Sequence, residues 1–220
     1  MPAPGFKALV ISDRASLPGG DLAAWLAALA GALAEAGTAE TLALQIREKD
    51  LADRDLYALT LLARTVLPPP TRLLVNGRID VALAAGADGA HLPADGPPAA
   101  ALRDRFGPDV LLGVSTHRVD EVVRAQRDGA DYVVFGPVYP TPSKARFGPP
   151  LGVTGLARAA AAGIPVYALG GVTLDRLGEV ASAGAAGVAG IRLFQTPSDL
   201  ATVLRAIRRS FAADPAPQES

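Results

Sequence analysis

The chain contains no cysteine, which excludes disulfides, thiolate metal sites and a cysteine nucleophile. Three other residue types are almost missing. The lysines are Lys7, Lys49 and Lys144, the histidines are His91 and His117, and Asn76 is the lone asparagine. No apolar run reaches transmembrane length. Met1-Pro2-Ala3-Pro4 shows no basic stretch followed by an apolar one, so no signal peptide is expected. Nor is there an excess of either charge. With 21 basic and 22 acidic side chains the net charge is −1, which argues against a general nucleic-acid-binding surface. A soluble, cytoplasmic protein is the expectation.

What is present is apolar material. Half of the 220 residues are hydrophobic and a fifth are charged, enough to bury one sizeable core and too apolar for wholesale disorder. Short apolar runs alternate with longer Ala/Leu-rich segments. Strands are expected at Phe6–Ser12, Thr41–Glu48, Thr71–Gly77, Gly89–Pro93, Leu111–His117, Tyr132–Val138, Ile164–Gly171 and Gly187–Phe194. Between them, three- and four-residue apolar spacing predicts helices such as Asp21–Ala36, Asp53–Val66, Val119–Asp128, Leu174–Ala183 and Asp199–Phe211. The strands are continuous apolar runs, as in Tyr132-Val133-Val134-Phe135, so both faces should be covered and the sheet parallel.

Gly-Ala-Asp or Gly-Ala-Ala recurs before strands at residues 86, 129 and 184. There glycine can supply the left-handed end of a helix. Eight βα units in this length give a single (β/α)8 TIM barrel over residues 1–213, with a disordered polar tail at 214–220. A doubly wound open sheet competes, but no G-x-G-x-x-G follows the first strand.

In such a barrel chemistry sits where strands end. Two of the lysines, the asparagine and both histidines fall at those ends. Gln45, Arg47 and Lys49 alternate and so face one way. With Asn76, Lys144 and Arg192 they form a set of cations and amides suited to a phosphate or diphosphate. Gly170-Gly171 and Ile191-Arg192 occupy the usual barrel phosphate position. Val138–Gly152 is a long, proline-rich loop that reads as a lid.

Any single cation here is more ordinarily solvated or salt-bridged; it is the group that signals a site. His91 reads as a packed core residue, and His117 stays open between catalysis and a structural hydrogen bond. Asp13 reads as a turn residue or as a partner orienting Arg47. Asp80, Asp88 and Asp131 read as caps or turns, and Trp25 as packing.

The segments Gln45-Ile46-Arg47-Glu48-Lys49, Asn76-Gly77-Arg78, Gly86-Ala87-Asp88-Gly89-Ala90-His91-Leu92, Gly113-Val114-Ser115-Thr116-His117, Gly136-Pro137-Val138-Tyr139-Pro140-Thr141-Pro142-Ser143-Lys144 and Ala168-Leu169-Gly170-Gly171-Val172 resemble, in order and spacing, the thiamin phosphate synthase/TenI (thiazole tautomerase) superfamily. The resemblance implies that Gln45, Arg47, Lys49, Asn76, Arg78, Ser115 and Lys144 hold an aminopyrimidine diphosphate. It implies that Thr141, Ser143, Gly170, Gly171, Ile191 and Arg192 line a thiazole phosphate site. His117, Lys144 and Ser115 are then the catalytic candidates.

The chain departs from the synthase pattern at the metal. The synthases it resembles usually have Asn-Asp-Arg after the third strand and Gly-Gln-x-Asp after the fourth. Here Gly77 and Gly96 stand where those carboxylates would be, and Asp95 is one position off. The expectation therefore leans to a metal-independent thiazole tautomerase using His117, with no cofactor and no protein-held metal. Thiamin phosphate synthase, with Mg²⁺, is the alternative, and a non-catalytic thiazole or thiamin phosphate binding protein the third reading. Expected partners are phosphorylated small molecules, with neither nucleic acid nor membrane; a homo-oligomer is left open.

Overall fold

Each of the apolar runs becomes a strand. In the computed structural model these are β1 (Ala8–Ile11), β2 (Leu42–Ile46), β3 (Arg72–Asn76), β4 (Gly89–Leu92), β5 (Leu111–Thr116), β6 (Tyr132–Phe135), β7 (Val166–Leu169) and β8 (Gly187–Gly190). They pair in parallel and in sequence order, and β8 closes back on β1 through Ala8 opposite Val188. The result is a (β/α)8 barrel. Helices α1 (Leu22–Ala36), α2 (Asp53–Val66), α3 (Ile79–Ala84), α4 (Ala99–Phe106), α5 (Val119–Arg127), α6 (Gly152–Ala160), α7 (Leu177–Ser182) and α8 (Leu200–Ser210) follow the strands in turn. The structure describes residues 4–141 and 149–212. The tail at 214–220, and Pro142, Ser143 and Lys144 of the sixth loop, lie outside them. No helix of the described residues is long and apolar enough to cross a membrane.

Strand ends differ from the sequence reading for identifiable reasons. The sixth strand stops at Phe135 because Pro137 has no N–H to give a ladder. The eighth stops at Gly190, where the chain turns into a 3-10 segment at Arg192–Phe194. The fifth stops at Thr116, which takes His117 out of the strand. The helix expected over Leu174–Ala183 is a 3-10 turn, Leu174–Arg176, followed by α7.

The core has two layers. One lies between strands and helices; Trp25 belongs to it and donates its indole N–H to the Phe194 carbonyl at 2.9 Å, tying α1 to the segment after β8. The other fills the barrel itself with Phe6, Leu9, Ile11, Ala43, Leu74, Tyr132, Val134, Tyr167 and Ala189. Phe6 stacks on Tyr167 at 4.6 Å and meets Tyr132 edge-on at 5.3 Å. Gly113 makes room for this plug, since a Cβ there would lie 2.0 Å from the Tyr132 ring.

Asp88 and Asp131 do more than terminate turns. Asp131 donates its N–H to the Leu112 carbonyl at 2.8 Å, and its carboxylate accepts the Leu112 N–H at 2.7 Å. Asp88 repeats this arrangement with Leu73, at 2.8 Å for each bond. Each aspartate thus fixes the register of its strand against the preceding one. Arginines neutralise the clamps: Arg103 binds Asp131 at 2.6 Å, and Arg64 and Arg72 bind Asp88.

Asp131→Ala would take away the carboxylate that Arg103 binds at 2.6 Å and leave the Leu112 N–H without its acceptor, while Arg103 keeps the carbonyls of Pro108, Val110 and Gly129. It should cost roughly 2–4 kcal/mol in denaturant unfolding. A loss below about 1 kcal/mol, the scale of a surface pair, would show that the clamp does not set the register.

Candidate functional site

The C-terminal ends of the strands form one mouth, and alternation along each strand decides which side chains line it. Gln45 follows Ala43 into the interior, Asn76 follows Leu74, and His91 follows Gly89. Gln45 is 1% exposed and donates from Nε2 to Asn76 Oδ1 at 2.9 Å. Its Oε1 is buried with no partner among the described residues. A buried amide oxygen left unpaired is costly, so this atom is suited to a donor carried by a ligand.

Arg47, half-buried, is the first residue after β2, and the exposed Lys49 lies two residues on; the alternation expected for Gln45, Arg47 and Lys49 is inside the strand only at Gln45. Arg192 is exposed after β8. Among the described residues, none of these three cationic heads makes an ion pair or a side-chain hydrogen bond. The Arg47 charge also disfavours protonation of His91. The strand ends beneath Arg47 are held by Glu48, a residue the sequence reading passed over. Its buried carboxylate accepts from Ser12 Oγ at 2.6 Å and from the Arg14 guanidinium at 3.2 Å, and Ser12 Oγ in turn accepts the Arg47 N–H at 2.9 Å. Asp13 takes no part in orienting Arg47: it accepts from Ser16 in a turn.

Arg78 is a correction to the expected phosphate set. Its guanidinium is held by Asp80, at 2.7 and 3.0 Å, and by Asp53 of α2. Both carboxylates hold its pKa above the ordinary arginine value, so it serves as a peripheral tie between α2 and α3.

His117 is a second correction. The expected inward alternation fails because β5 has ended. Its Nδ1 lies 2.6 Å from the Gly136 carbonyl, and its ring is exposed. It lines a groove of about 650 Å³ together with Phe135 and with Gly155 and Arg158 of α6. That removes the placement on which a tautomerase mechanism through His117 rested.

His91 is a packed residue, as its apolar strand implies, but it also has two polar partners. Nδ1 lies 3.1 Å from the Tyr132 hydroxyl and Nε2 lies 2.9 Å from Ser115 Oγ. Burial, aided by Arg47, pushes its pKa down to about 3.

Gly170 and Gly171 both have positive φ, 94° and 65°. Their lack of side chains is required by protein, since a Cβ at Gly170 would lie 2.7 Å from Pro137 Cβ and one at Gly171 would lie 2.7 Å from the Pro140 carbonyl. Arg176 braces this corner: it donates to the Gly171 carbonyl at 2.6 Å and stacks 4.3 Å from the Tyr139 ring centre. Tyr139 in turn donates to Glu179. No sequence pattern signalled that brace. The N–H groups of Gly171 and Arg192 donate to no backbone carbonyl among the described residues. Thr141 and Ile191 sit half-buried beside them, whereas Ser143 and Lys144 lie outside the described residues.

The donor set does not suit a protein-held Mg²⁺. Among the described residues no group of three His, Asp or Glu side chains could hold a metal ion. Gly77 and Gly96 offer no side chain, Asn76 Oδ1 is taken by Gln45, and Asp53 and Asp80 are committed to Arg78.

The depressed His91 pKa gives a stability signature. Unfolded histidine titrates near 6.5, so between pH 6.5 and about 3 the unfolded chain binds a proton that the folded chain does not. Stability is complete above pH 6.5 and falls with acid. Between pH 6.5 and 4.5, above the carboxylate range, the loss should be roughly 2–3 kcal/mol. The slope should flatten in His91→Gln, as measured by urea unfolding at each pH; an equal slope in both proteins would refute the neutral buried imidazole.

Comparison with known proteins agrees with this arrangement. The profile of the thiamine monophosphate synthase family matches residues 9–194. A putative thiamine-phosphate synthase of Geobacter sulfurreducens is 46% identical over 186 residues, 84% of each chain. The thiamine-phosphate synthase of Chlorobium luteolum is 41% identical over 178 residues, 77% of this chain and 82% of its own. The solved thiamine phosphate pyrophosphorylase of Pyrococcus furiosus superposes with a TM-score of 0.77 at 27% identity, covering 94% of this chain and 96% of that one. A 3-hexulose-6-phosphate synthase, at 18% identity and a TM-score of 0.69, shares the fold. These relatives carry the synthase name, which favours the alternative over the tautomerase. By sequence and by fold, the chain belongs to the thiamine monophosphate synthase family.

Proposed function

We propose that this protein is a thiamine-phosphate synthase, joining an aminopyrimidine diphosphate to a thiazole phosphate with release of diphosphate. The observation that carries the reading is the Gln45 amide. Its buried Oε1, without a partner among the described residues, is an acceptor suited to a ligand N–H, and an aminopyrimidine carries one. Electron donation from that amino group weakens the carbon–oxygen bond to the diphosphate, and an acceptor on its N–H strengthens the donation. The thiazole nitrogen attacks the methylene carbon. The carbon–oxygen bond breaks, and its electron pair leaves with the diphosphate.

The protein's part is to hold that leaving group. Arg47 and Lys49, just after β2 and without ion pairs among the described residues, meet charge as it develops. Ser115 adds a hydroxyl from β5. The Gly170-Gly171 corner and Ile191-Arg192 bind the thiazole phosphate through backbone N–H groups and the Arg192 charge. The protein itself holds no Mg²⁺; any divalent ion arrives with the diphosphate.

Purified protein given the two half-molecules should form thiamin phosphate and diphosphate. Arg47→Ala and Lys49→Ala should each lower kcat/KM by ~10- to 100-fold, the scale of a charged hydrogen bond. Their unfolding midpoints should not move, because neither side chain is in the core. Absence of product under all conditions would overturn the synthase reading.

Calorimetry with Mg²⁺ alone should show no binding, and binding should appear only once diphosphate is added. Tight Mg²⁺ binding to the free protein would mean that Asp95, exposed in the loop after β4, serves as a ligand.

A further inference from the structure

Inside the barrel, three side chains form a chain of hydrogen bonds, of which the reaction as drawn uses only the Ser115 hydroxyl. Tyr132 on β6 is fully buried and His91 on β4 is 3% exposed, while Ser115 on β5 is half-buried at the mouth. The rings of Tyr132 and His91 lie 5.6 Å apart, tilted by 35°. The contacts are Tyr132 hydroxyl to His91 Nδ1 at 3.1 Å and His91 Nε2 to Ser115 Oγ at 2.9 Å.

Two proton arrangements fit these distances. In the first, Ser115 donates to Nε2 and Nδ1–H donates to the phenol oxygen. The phenol proton is then left without an acceptor in an apolar interior, since Tyr132 has no other hydrogen-bond partner among the described residues. In the second, the phenol donates to Nδ1, and Nε2–H donates to Ser115 Oγ. Every buried proton is then bonded, and the single free proton is that of Ser115, which faces the mouth. Buried donors are satisfied almost without exception, so the second arrangement prevails. Burial keeps the phenol protonated and the imidazole neutral, so the direction does not reverse near neutral pH.

The geometry points to His91 as a positioning residue that, set by the Tyr132 hydroxyl, occupies the acceptor side of Ser115 Oγ and so commits the Ser115 proton to an anionic oxygen of the bound substrate. This deepens the synthase reading and rests on it, the oxygen being one of the diphosphate. A serine hydroxyl alone rotates and can present either a donor or lone pairs. Held from behind by an N–H, it meets the mouth as a donor only, which favours an anion over a competing amine or water proton. The function of the relay is specificity for the charge of the ligand at that point.

The test is a double-mutant cycle read by calorimetric titration of inorganic diphosphate and by kcat/KM. Ser115→Ala and His91→Leu should each weaken diphosphate binding by roughly 10-fold. Combined, they should be no worse than Ser115→Ala alone, because His91 acts only through that hydroxyl. His91→Gln, which keeps an amide donor, should recover most of the binding. Tyr132→Phe leaves the ring in place. It should give a smaller loss that vanishes in the Ser115→Ala background, which keeps the question open to measurement even if His91→Leu folds poorly. Wild-type binding with multiplicative losses in the double variant, or His91→Gln no better than His91→Leu, would overturn the relay alone. A wild-type protein that neither binds inorganic diphosphate nor forms product would overturn the synthase reading and the relay with it.

Discussion

The Tyr132 ring is the piece around which the barrel interior is arranged. A small eight-stranded barrel has to fill its own centre with side chains, and here much of the volume falls to one aromatic on β6. Its bulk explains why Gly113, on the neighbouring strand, has no side chain. Its faces and edges set Phe6 and Tyr167, the latter 5.4 Å away and nearly perpendicular. Tyr167 discharges its own polar group on the Phe6 carbonyl at 2.7 Å. The Tyr132 hydroxyl has no such backbone outlet. It needs a buried acceptor, His91 supplies it, and His91 then requires an acceptor of its own at the mouth. One packing demand at the bottom of the barrel thus ends as a chemical property at the top.

Charge is sorted along the same axis. At the bottom, Asp88 and Asp131 are spent on strand register and neutralised by arginines. Around the rim, Asp53 and Asp80 hold Arg78, and Glu48 and Asp50 hold Arg14 at 3.2 and 2.6 Å. A chain with a net charge of −1 therefore still leaves three cations near the strand ends, Arg47, Lys49 and Arg192, without acidic partners among the described residues. Net charge excluded a broadly basic protein, but it could not report this local arrangement.

The same sorting explains what was legible in the sequence. Strand existence and order could be read because runs such as Tyr132–Phe135 are buried on both faces. Gln45, Asn76 and Ser115 could be placed at the mouth by period-two alternation alone. Arg78 could not, since its partner Asp53 comes from a helix 25 residues earlier. His117 could not, because the rule that aims it inward holds only inside a strand and β5 ends one residue before it. The aspartate clamps looked like turn residues because their partners are backbone N–H groups on another strand, and backbone carries no sequence signal. The brace of Arg176 on Tyr139 and Gly171 was invisible for the same reason of distance.

The two glycines at the expected metal positions are not equivalent, and the difference bears on whether a side chain could stand at either. Gly77 has a φ of 69°, and nothing lies within 4 Å of where its Cβ would be. Space alone does not forbid a side chain there; the backbone conformation does, for most residues other than glycine, asparagine and aspartate. Gly96 lies outside the positive-φ region but is tight: a Cβ there would meet the Pro93 carbonyl at 3.1 Å and the Pro93 ring at 3.2 Å. Pro93 therefore fills the place that a side chain at 96 would need, and the loop after β4 is packed around its own proline. A carboxylate restored at 77 alone would have no partner across the mouth, where Asn76 is already bound to Gln45. On the synthase reading proposed above, neutralisation of the leaving diphosphate falls to the cations that follow β2 and β8. Of these, Arg47 is the half-buried one, and its charge disfavours protonation of His91.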